Sequence, residues 1–208
     1  MSLPPKPKPA NRQTERVRFQ WPVRDELVKL LLMATNAANE LVDVIDDAGR
    51  TVAVVTRAEM RGRLLPHRCT YILVFNQRGE LFIHLRTATK DVFPSHWDVT
   101  IGGVLAAGES FDEGARREAT EELGVAIRQL EPLFPFRYTD ARTAVHGMVY
   151  RLVHNGPFLL QPEEIVRGEF VPVDAVLART TREPFCPDGV AVLHEYRQLK
   201  ARNDAAFG

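Results

Sequence analysis

The segment 117–122 carries three carboxylates beside an arginine. Glu118, Glu121 and Glu122 stand at positions i, i+3 and i+4, so one face of a helix would carry all three. Like charges at this spacing repel one another, and a hard divalent cation with oxygen ligands removes that repulsion. Mg²⁺ commonly uses one or two carboxylates together with substrate phosphates, so the cluster suits a metal centre that acts on a phosphate compound. Taken alone, the three glutamates would more often form a solvated acidic helix face, and the residues around them decide between the two interpretations.

The sequence marks both ends of the helix that would carry this cluster. Ser110 and Glu113 form an S-x-x-E capping box, which predicts a helix that begins directly after Ser110. Gly124 stands where a left-handed residue commonly ends a helix. A small apolar stripe beside the acidic face predicts that the helix packs on a sheet. The stripe consists of Ala115, Ala119 and Leu123.

A longer pattern surrounds the cluster, with the spacing G-x5-E-x7-R-E-U-x-E-E-x-G-U, where U is an apolar residue. Every position is filled, by Gly103, Glu109, Arg117, Glu118, Ala119, Glu121, Glu122, Gly124 and Val125. The pattern resembles the box of the Nudix hydrolases, which cleave a nucleoside diphosphate linked to another group. The resemblance implies a pyrophosphohydrolase in which water attacks phosphorus with Mg²⁺ as the cofactor, or Mn²⁺ in its place.

Roles for the box residues follow from this resemblance and from their charges. Glu118 and Glu122 would be the main metal ligands, with Glu121 completing the cluster and the Gly103 carbonyl joining it. Arg117 stands one turn before Glu121 and would orient or partly neutralise that carboxylate.

The general base is open at this point. Nudix enzymes take it either from the box, where Glu118 is the candidate, or from a downstream loop. In this chain that loop offers Glu163 and Glu164, which fit an ordinary acidic turn equally well.

A second match lies upstream, at Arg86, Lys90, Pro94, Trp97 and Asp98. It resembles the branch of the family that contains isopentenyl diphosphate isomerase and related hydrolases. In that branch the positions of Arg86 and Lys90 hold a diphosphate, which suits cations that face an anionic substrate. A basic loop in solvent is the alternative interpretation.

The isomerase activity itself is disfavoured. Its catalytic cysteine falls on Gly102 and one of its metal-binding histidines falls on Val104, while His67 matches another. An isomerase that works by protonation and deprotonation is hard to defend without its thiol. A Nudix-fold module that senses a nucleotide without cleaving it is a further alternative, against which the complete carboxylate set counts.

The remaining elements predict an α+β fold, an α/β/α sandwich with a mixed sheet flanked by helices, as in the Nudix fold. Residues 1–23 read as a flexible tail, 24–66 as an N-terminal helix and hairpin extension, 67–203 as the Nudix domain, and 204–208 as a tail. The predicted elements are a helix over Asp25–Asn39, hairpins Leu41–Ile45 with Thr51–Val55 and Thr70–Phe75 with Glu80–Leu85, strands Phe134–Tyr138, Ala144–Val153 and Gly168–Val173, and a closing helix over Pro187–Arg202.

Composition bounds the partners and the location. The 208 residues carry a formal net charge of zero, which gives no global electrostatic case for nucleic acid or a membrane. Cys69 and Cys186 are the only cysteines and lack zinc or redox spacing, so a cytoplasmic protein with reduced thiols is expected. The expected partner is a small-molecule diphosphate. The N-terminal helix would pack on the domain, form a homodimer contact, or bind another partner.

Overall fold

The computed structural model describes residues 37–127 and 129–207. The predicted helix over Asp25–Asn39 therefore lies outside the described residues, apart from its last three, which are helical. The strands are β1 Leu41–Ile45, β2 Thr51–Thr56, β3 His67–Phe75, β4 Leu81–Arg86, β5 Trp97–Asp98, β6 Glu131–Thr139, β7 Ala144–Val153 and β8 Ile165–Val171. The helices are α1 Arg57–Gly62, α2 Phe111–Leu123, α3 Val173–Thr180 and α4 Pro187–Phe207.

Strand β3 is the centre of a single mixed sheet of eight strands. Strand β7 runs parallel to it along its whole length, from the pair His67 and Val145 to the pair Phe75 and Val153. Strand β1 joins β3 antiparallel at Val44 and His67, while β6 extends the sheet beyond β7. Strands β5 and β8 are both antiparallel to β4. The mixed sheet confirms the predicted α+β architecture.

The second predicted hairpin forms its turn but does not stay paired. Strands β3 and β4 are partners only at Phe75 and Leu81, next to the turn, and then separate. The segment 101–104 enters the gap and makes bridges from Ile101 to Ile72 and from Val104 to Cys69. The opening between two strands thus places Gly102 and Gly103 inside the sheet.

The alternation of side chains along β3 divides the core into two layers. Ile72 and Val74 pack on one face of the sheet, with the apolar stripe of α2. Tyr71 and Leu73 pack on the other face, together with Val192 and Leu193 of α4. Helices on both faces of the sheet make the predicted α/β/α sandwich.

Both predicted ends of α2 are confirmed. The Ser110 side chain accepts a hydrogen bond from the Glu113 amide, and the Glu113 carboxylate accepts one from the Ser110 amide. Gly124 ends the helix in the left-handed region, with φ of 63°. A Cβ at Gly124 would also lie 2.6 Å from the Cβ of Leu159, so packing as well as backbone conformation requires glycine there.

The hairpin of the predicted extension is part of the same sheet. The buried carboxylate of Asp43 in β1 pairs with Arg68 of β3 and accepts a hydrogen bond from the Gly108 amide at 3.0 Å. The Ala107 amide donates to the Leu41 carbonyl at 2.8 Å. Strand β1 therefore holds the loop that leads into α2. The boundary between residues 66 and 67 stays a prediction.

Three short elements escaped the sequence-based prediction: α1, α3 and the two-residue strand β5. The closing helix, by contrast, begins at Pro187 as predicted and continues to Phe207. Across residues 37–127 and 129–207, no helix combines the length and the apolar character that a membrane span needs.

Candidate active site

A cavity of about 310 Å³ lies where α2, α1, the Gly102–Gly103 segment and the 86–98 loop meet. Eight of the residues predicted for the site line it. They are Arg86, Lys90, Gly103, Arg117, Glu118, Glu121, Glu122 and Glu164. The sheet and its loops thus bring together residues that are up to 78 positions apart in the chain (164 − 86).

The two glycines of the inserted segment allow backbone and carboxylate to approach each other closely. A Cβ at Gly103 would lie 2.7 Å from Oε1 of Glu118, so this carboxylate rests directly on the Gly103 backbone. Gly102 has φ of 142°, and a Cβ there would lie 2.1 Å from the Thr70 carbonyl oxygen. A cysteine at position 102 would not fit this backbone, which adds a steric reason against an isomerase.

The Gly103 carbonyl is already used once. It accepts a hydrogen bond from the Thr70 amide at 3.0 Å. A carbonyl oxygen has two lone pairs, so one of them remains for the predicted metal contact.

Arg117 ties the acidic residues of the box together. Its guanidinium makes a two-pronged contact with Glu109, with Nε to Oε1 at 2.8 Å and Nη2 to Oε2 at 2.9 Å. Its Nη1 donates to Glu118 at 2.9 Å and to Glu121 at 3.3 Å. Glu109 in turn accepts from the Ala106 amide at 2.9 Å. The predicted role of Arg117 in orienting Glu121 is one part of a larger network.

The three box glutamates differ in their surroundings. The Glu118 side chain is 13% exposed, and Glu122 is buried, whereas the Glu121 side chain is 53% exposed. Burial raises the pKa of Glu118 against the opposing effect of Arg117. Burial raises the pKa of Glu122 to about 8, and the neighbouring Glu118 carboxylate adds to the rise. The fold thus places two carboxylates where their negative charge is costly.

This donor set fits a divalent cation in its chemistry. Buried carboxylates that disfavour each other's ionisation gain most from a positive charge between them. The side chains in residues 37–127 and 129–207 do not include three His, Cys, Asp or Glu arranged to hold a metal. Glu118 is turned towards Arg117, and Glu121 is directed outward. The metal roles of these residues therefore stay predictions.

Arg86 and Lys90 both line the cavity, and both already have partners. Arg86 donates to the carbonyls of Val92 at 2.9 Å and Phe93 at 3.3 Å and lies 3.6 Å from Asp98. It thereby holds a loop in which Phe93 has a positive φ of 52°. Lys90 pairs with Glu164, and burial lowers the pKa of Lys90 to about 8. Lys90 is thus still charged at pH 7.

Of the two downstream carboxylates, Glu164 lines the cavity and Glu163 is absent from its described lining. The backbone of this segment is bound to the 86–98 loop, since the Thr87 amide donates to the Glu164 carbonyl at 3.1 Å. The Thr87 hydroxyl also donates to the Glu163 carbonyl at 2.9 Å. Glu164 is the downstream candidate for the base that the geometry supports.

The cavity also contains charged residues that the sequence reasoning missed. Asp98 and Asp188 line it, and the Tyr71 hydroxyl donates to Asp188 at 3.1 Å. Burial raises the pKa of Asp188 to about 6, with Asp98 adding to the rise. Arg57 and Arg61 of α1 also line it, as do Glu40 and Asp91. Asp98 could have been found because it ends the upstream match, but the others have no local pattern.

Both cysteines and two histidines are buried. Burial raises the pKa of Cys69 to about 12, so this thiol stays protonated and is a poor nucleophile although it lines the cavity. His67 and His84 have pKa values lowered to about 4 by burial. His67 matches a metal-binding position of the isomerase, and it lies outside the described cavity lining. Its Nδ1 contacts the Leu65 carbonyl at 2.9 Å.

Comparison with known proteins decides the family. A model of the NUDIX domain matches residues 65–189. The chain belongs to the Nudix family. It is 36% identical over 169 residues to the Nudix hydrolase YfcD of Escherichia coli (strain K12), covering 81% of this chain and 93% of that protein. The Nudix hydrolase SCO1686 of Streptomyces coelicolor is 37% identical over 173 residues, with coverages of 82% and 94%.

The fold is also shared with a solved structure. The crystal structure of DR0079 from Deinococcus radiodurans superposes with a TM-score of 0.67 at 28% identity, covering 75% of this chain and 98% of that one. The predicted family, fold and enzyme class are confirmed: the protein is a Nudix pyrophosphohydrolase, which cleaves a diphosphate bond. Its relation to the isomerase branch stays a prediction.

Proposed function

We propose that this Nudix hydrolase cleaves a small molecule in which a nucleoside diphosphate, or a related diphosphate, is linked to another group. Mg²⁺ is the proposed cofactor, and Mn²⁺ would serve in its place. One observation carries the proposal: the box carboxylates and the Arg86–Lys90 cations line the same cavity. The residues that would hold the cation and those that would bind the anionic substrate therefore lie within one site.

Glu118 and Glu122 are the proposed main ligands of the cation, with Glu121 and the Gly103 carbonyl completing its shell. A bound divalent cation supplies charge neutralisation for the phosphate oxygens. Arg117 has a positioning role in this scheme. Because it is fixed on Glu109 by two hydrogen bonds, it sets the orientation of the Glu118 carboxylate before substrate arrives.

Lys90 and Glu164 are proposed to act in sequence. An arriving diphosphate, which carries a negative charge on each phosphate, offers Lys90 a dianion in place of the single carboxylate of Glu164. Once Lys90 contacts the phosphate, the Glu164 carboxylate is free to accept the proton of the attacking water as general base. Arg86 keeps its loop carbonyls and adds positive charge beside the phosphate. Glu118 is the alternative base.

The Glu164→Gln variant distinguishes the two bases. Loss of the general base lowers kcat by roughly 10²-fold or more and leaves KM within a few-fold, because glutamine cannot take the proton. Steady-state rates measure this, with whichever small-molecule diphosphate the enzyme is found to cleave. Full turnover by Glu164→Gln would remove Glu164 from the mechanism and leave Glu118.

The proposed reaction is tested by product release from a panel of diphosphates. The panel contains nucleoside di- and triphosphates, dinucleoside polyphosphates, nucleotide sugars, NADH, coenzyme A and prenyl diphosphates, each with Mg²⁺, Mn²⁺ or EDTA. Wild type is compared with Glu122→Gln and with the matched control Glu131→Gln, whose half-exposed side chain contacts Arg151. We expect cleavage that requires the cation, falls roughly a hundredfold or more in Glu122→Gln and is unchanged in the control.

The panel also tests the sensing alternative. Nucleotide binding by wild type without turnover of any member, with either cation, would contradict the proposed hydrolysis and favour a nucleotide sensor.

For the rest of the chain we propose the following organisation. Residues 67–203 form the catalytic domain, and the 24–66 extension positions the loop before α2 through Asp43. We further propose that the enzyme works in the cytoplasm on a small-molecule substrate and without nucleic acid. A homodimer contact through the N-terminal segment stays a prediction.

A further inference from the structure

A second pair of cations lines the cavity, outside the box and outside the Arg86–Lys90 match. Arg57 and Arg61 stand at positions i and i+4 of α1, which places their side chains one above the other on one face. Both act on charged groups of the site: Arg57 lowers the pKa of Glu118 against its burial, and both arginines do so for Asp91. The α1 pair therefore belongs to the electrostatics of the active site.

The contacts of this pair are loose. Arg57 Nη1 lies 3.2 Å from Oε2 of Glu40, and Arg61 Nε lies 3.5 Å from Oδ2 of Asp91. Charge-assisted N–H···O contacts are normally about 2.7–2.9 Å long. Arg61 Nη1 reaches only the Thr143 hydroxyl, at 3.4 Å. The Nε of Arg61 is buried and lacks a hydrogen-bond partner among the described residues. Among the described residues, the pair therefore has donor capacity that is not used.

The other cations of the described cavity lining are more firmly engaged. Arg117 is held by Glu109, Arg86 by two loop carbonyls, and Lys90 by Glu164. In the proposed function, Lys90 contacts a phosphate of the diphosphate that is cleaved. An additional anionic group on the substrate would find its free donors on α1.

We propose that Arg57 and Arg61 bind a phosphate group of the substrate other than the diphosphate that is cleaved. The preferred substrate is then a diphosphate that carries a further phosphate on its organic part. Two planar guanidinium groups one turn apart present a set of donors that matches the oxygens of a phosphate dianion. This inference rests on the proposed function, since it assigns a substrate class to the same cavity.

Two substrate pairs test the proposal, because the members of each pair share one diphosphate and differ in one phosphate. They are NADPH with NADH, and coenzyme A with dephospho-coenzyme A. The test variant is Arg57→Gln/Arg61→Gln. The matched control is Arg63→Gln at the end of α1, whose 64% exposed side chain contacts Glu59 and lies outside the described cavity lining.

In at least one pair, we expect wild type to have the lower KM for the member with the extra phosphate. The double variant should raise that KM roughly tenfold, since hydrogen bonds to a charged group are lost. The KM for the other member should stay within about twofold, and any change in kcat should be the same for both members because they share the cleaved diphosphate. All constants of Arg63→Gln should stay within about twofold. Equal changes in KM for both members of each pair would overturn the proposal.

A second set of variants separates binding from bracing of the cavity wall. If the arginines only brace the wall, Glu40→Gln/Asp91→Asn removes the same ion pairs and should be as harmful as the loss of the arginines. Under the proposal these acids compete with the phosphate, so their removal leaves the KM for the phosphorylated member unchanged or lower. A raised KM in this variant would contradict the proposal.

Calorimetry in EDTA gives a measurement that needs neither a cation nor turnover. Adenosine 3′,5′-bisphosphate should bind more tightly than adenosine 5′-monophosphate. This difference in affinity should be present in proteins that keep Arg57 and Arg61 and absent from the double variant. Cleavage of both members without an effect of these arginines would overturn this inference alone. Cleavage of no diphosphate at all would overturn the proposed function, and the calorimetric result would still decide whether α1 binds the extra phosphate.

Discussion

The ion pairs that hold Arg117 to Glu109 and Glu118 on the α2 side of the cavity are shorter than those on the α1 side. On the α2 side Arg117 contacts Glu109 and Glu118 at 2.8–2.9 Å, within a segment of ten residues (109–118). On the α1 side Arg57 and Arg61 meet Glu40 and Asp91 at 3.2–3.5 Å, and the partners of Arg61 come from distant parts of the chain. The first arrangement is fixed before a ligand arrives, and the second can exchange its partners for a ligand.

The difference follows from how each side is built. Helix α2 is capped at both ends and packed on β3, and its Glu118 carboxylate rests on a glycine segment inside the sheet. Helix α1 has six residues, and only Met60 is buried. The functional consequence would be that the rigid α2 side holds the groups that cleave the diphosphate, while the adjustable α1 side determines which substrate binds.

The sharpest contrast is expected between two glycine substitutions. Gly102→Ala should lower the free energy of unfolding by about 3 kcal/mol or more, because its Cβ would lie 2.1 Å from the Thr70 carbonyl at a positive φ. Gly62→Ala on α1 should be neutral or up to about 1 kcal/mol stabilising, since a Cβ there has open space among the described residues. Urea unfolding measures both. Similar losses at the two positions would erase the contrast.

Breaking the Arg117 network is the next largest effect. Arg117→Gln should lower kcat by roughly 10- to 100-fold, which is the range found when a residue that orients metal ligands is lost. Arg117→Lys should not rescue it, because an ammonium cannot make the two-pronged contact with Glu109. Steady-state kinetics with a cleaved panel member decide this. Full activity in Arg117→Lys would show that charge alone suffices.

The two sides should also respond oppositely to pH in the metal-free protein. His67, near Arg57 and Arg61, has a pKa lowered from 6.5 to about 4, so the unfolded chain binds its proton more tightly. The stability that neutral His67 provides is complete above pH 6.5 and is lost as the pH falls towards 4. From pH 6.5 to 5 the loss should be about 2 kcal/mol.

Glu122 has the opposite sign. Its pKa is raised from 4.5 to about 8, so its contribution is complete below pH 4.5 and is lost as the pH rises to about 8. Urea titrations of wild type, His67→Gln and Glu122→Gln at several pH values measure both effects. His67→Gln should reduce the loss on the acid side and Glu122→Gln the loss on the alkaline side. Parallel pH curves for the three proteins would refute the contrast.

The α2 side could be predicted from the sequence because its information is local. The helix ends depend on spacings within one element, and the structure confirms them. Arg117 and Glu121 stand one turn apart in the same helix and lie in contact at 3.3 Å. Arg86, Lys90 and Glu164, which were named as candidate site residues, line one cavity. Their roles in catalysis stay proposals.

The α1 side could not be predicted for a physical reason. Arg57 and Arg61 reach the cavity because β1 and β3 pair and thereby bring α1 beside the 86–98 loop. Asp188 is far from these residues in sequence, at the start of α4, and reaches the cavity only through the tertiary fold. The separation of β3 from β4 depends on an inserted glycine segment, while the turn alone predicted a regular hairpin. Each case depends on contacts between segments that are distant in sequence, and local sequence patterns contain no information about such contacts.

Binding of a divalent cation to the free enzyme tests the central claim most directly. Isothermal titration of Mn²⁺ at pH 7, in two buffers with different ionisation enthalpies, gives the affinity and the number of protons released. Because the pKa of Glu122 is about 8, its carboxyl carries a proton at pH 7 that the cation must displace. We predict saturable binding with release of about one proton, both lost in Glu122→Gln and retained in Glu131→Gln. Binding that is unchanged in Glu122→Gln would contradict the assignment of the metal centre to the box carboxylates.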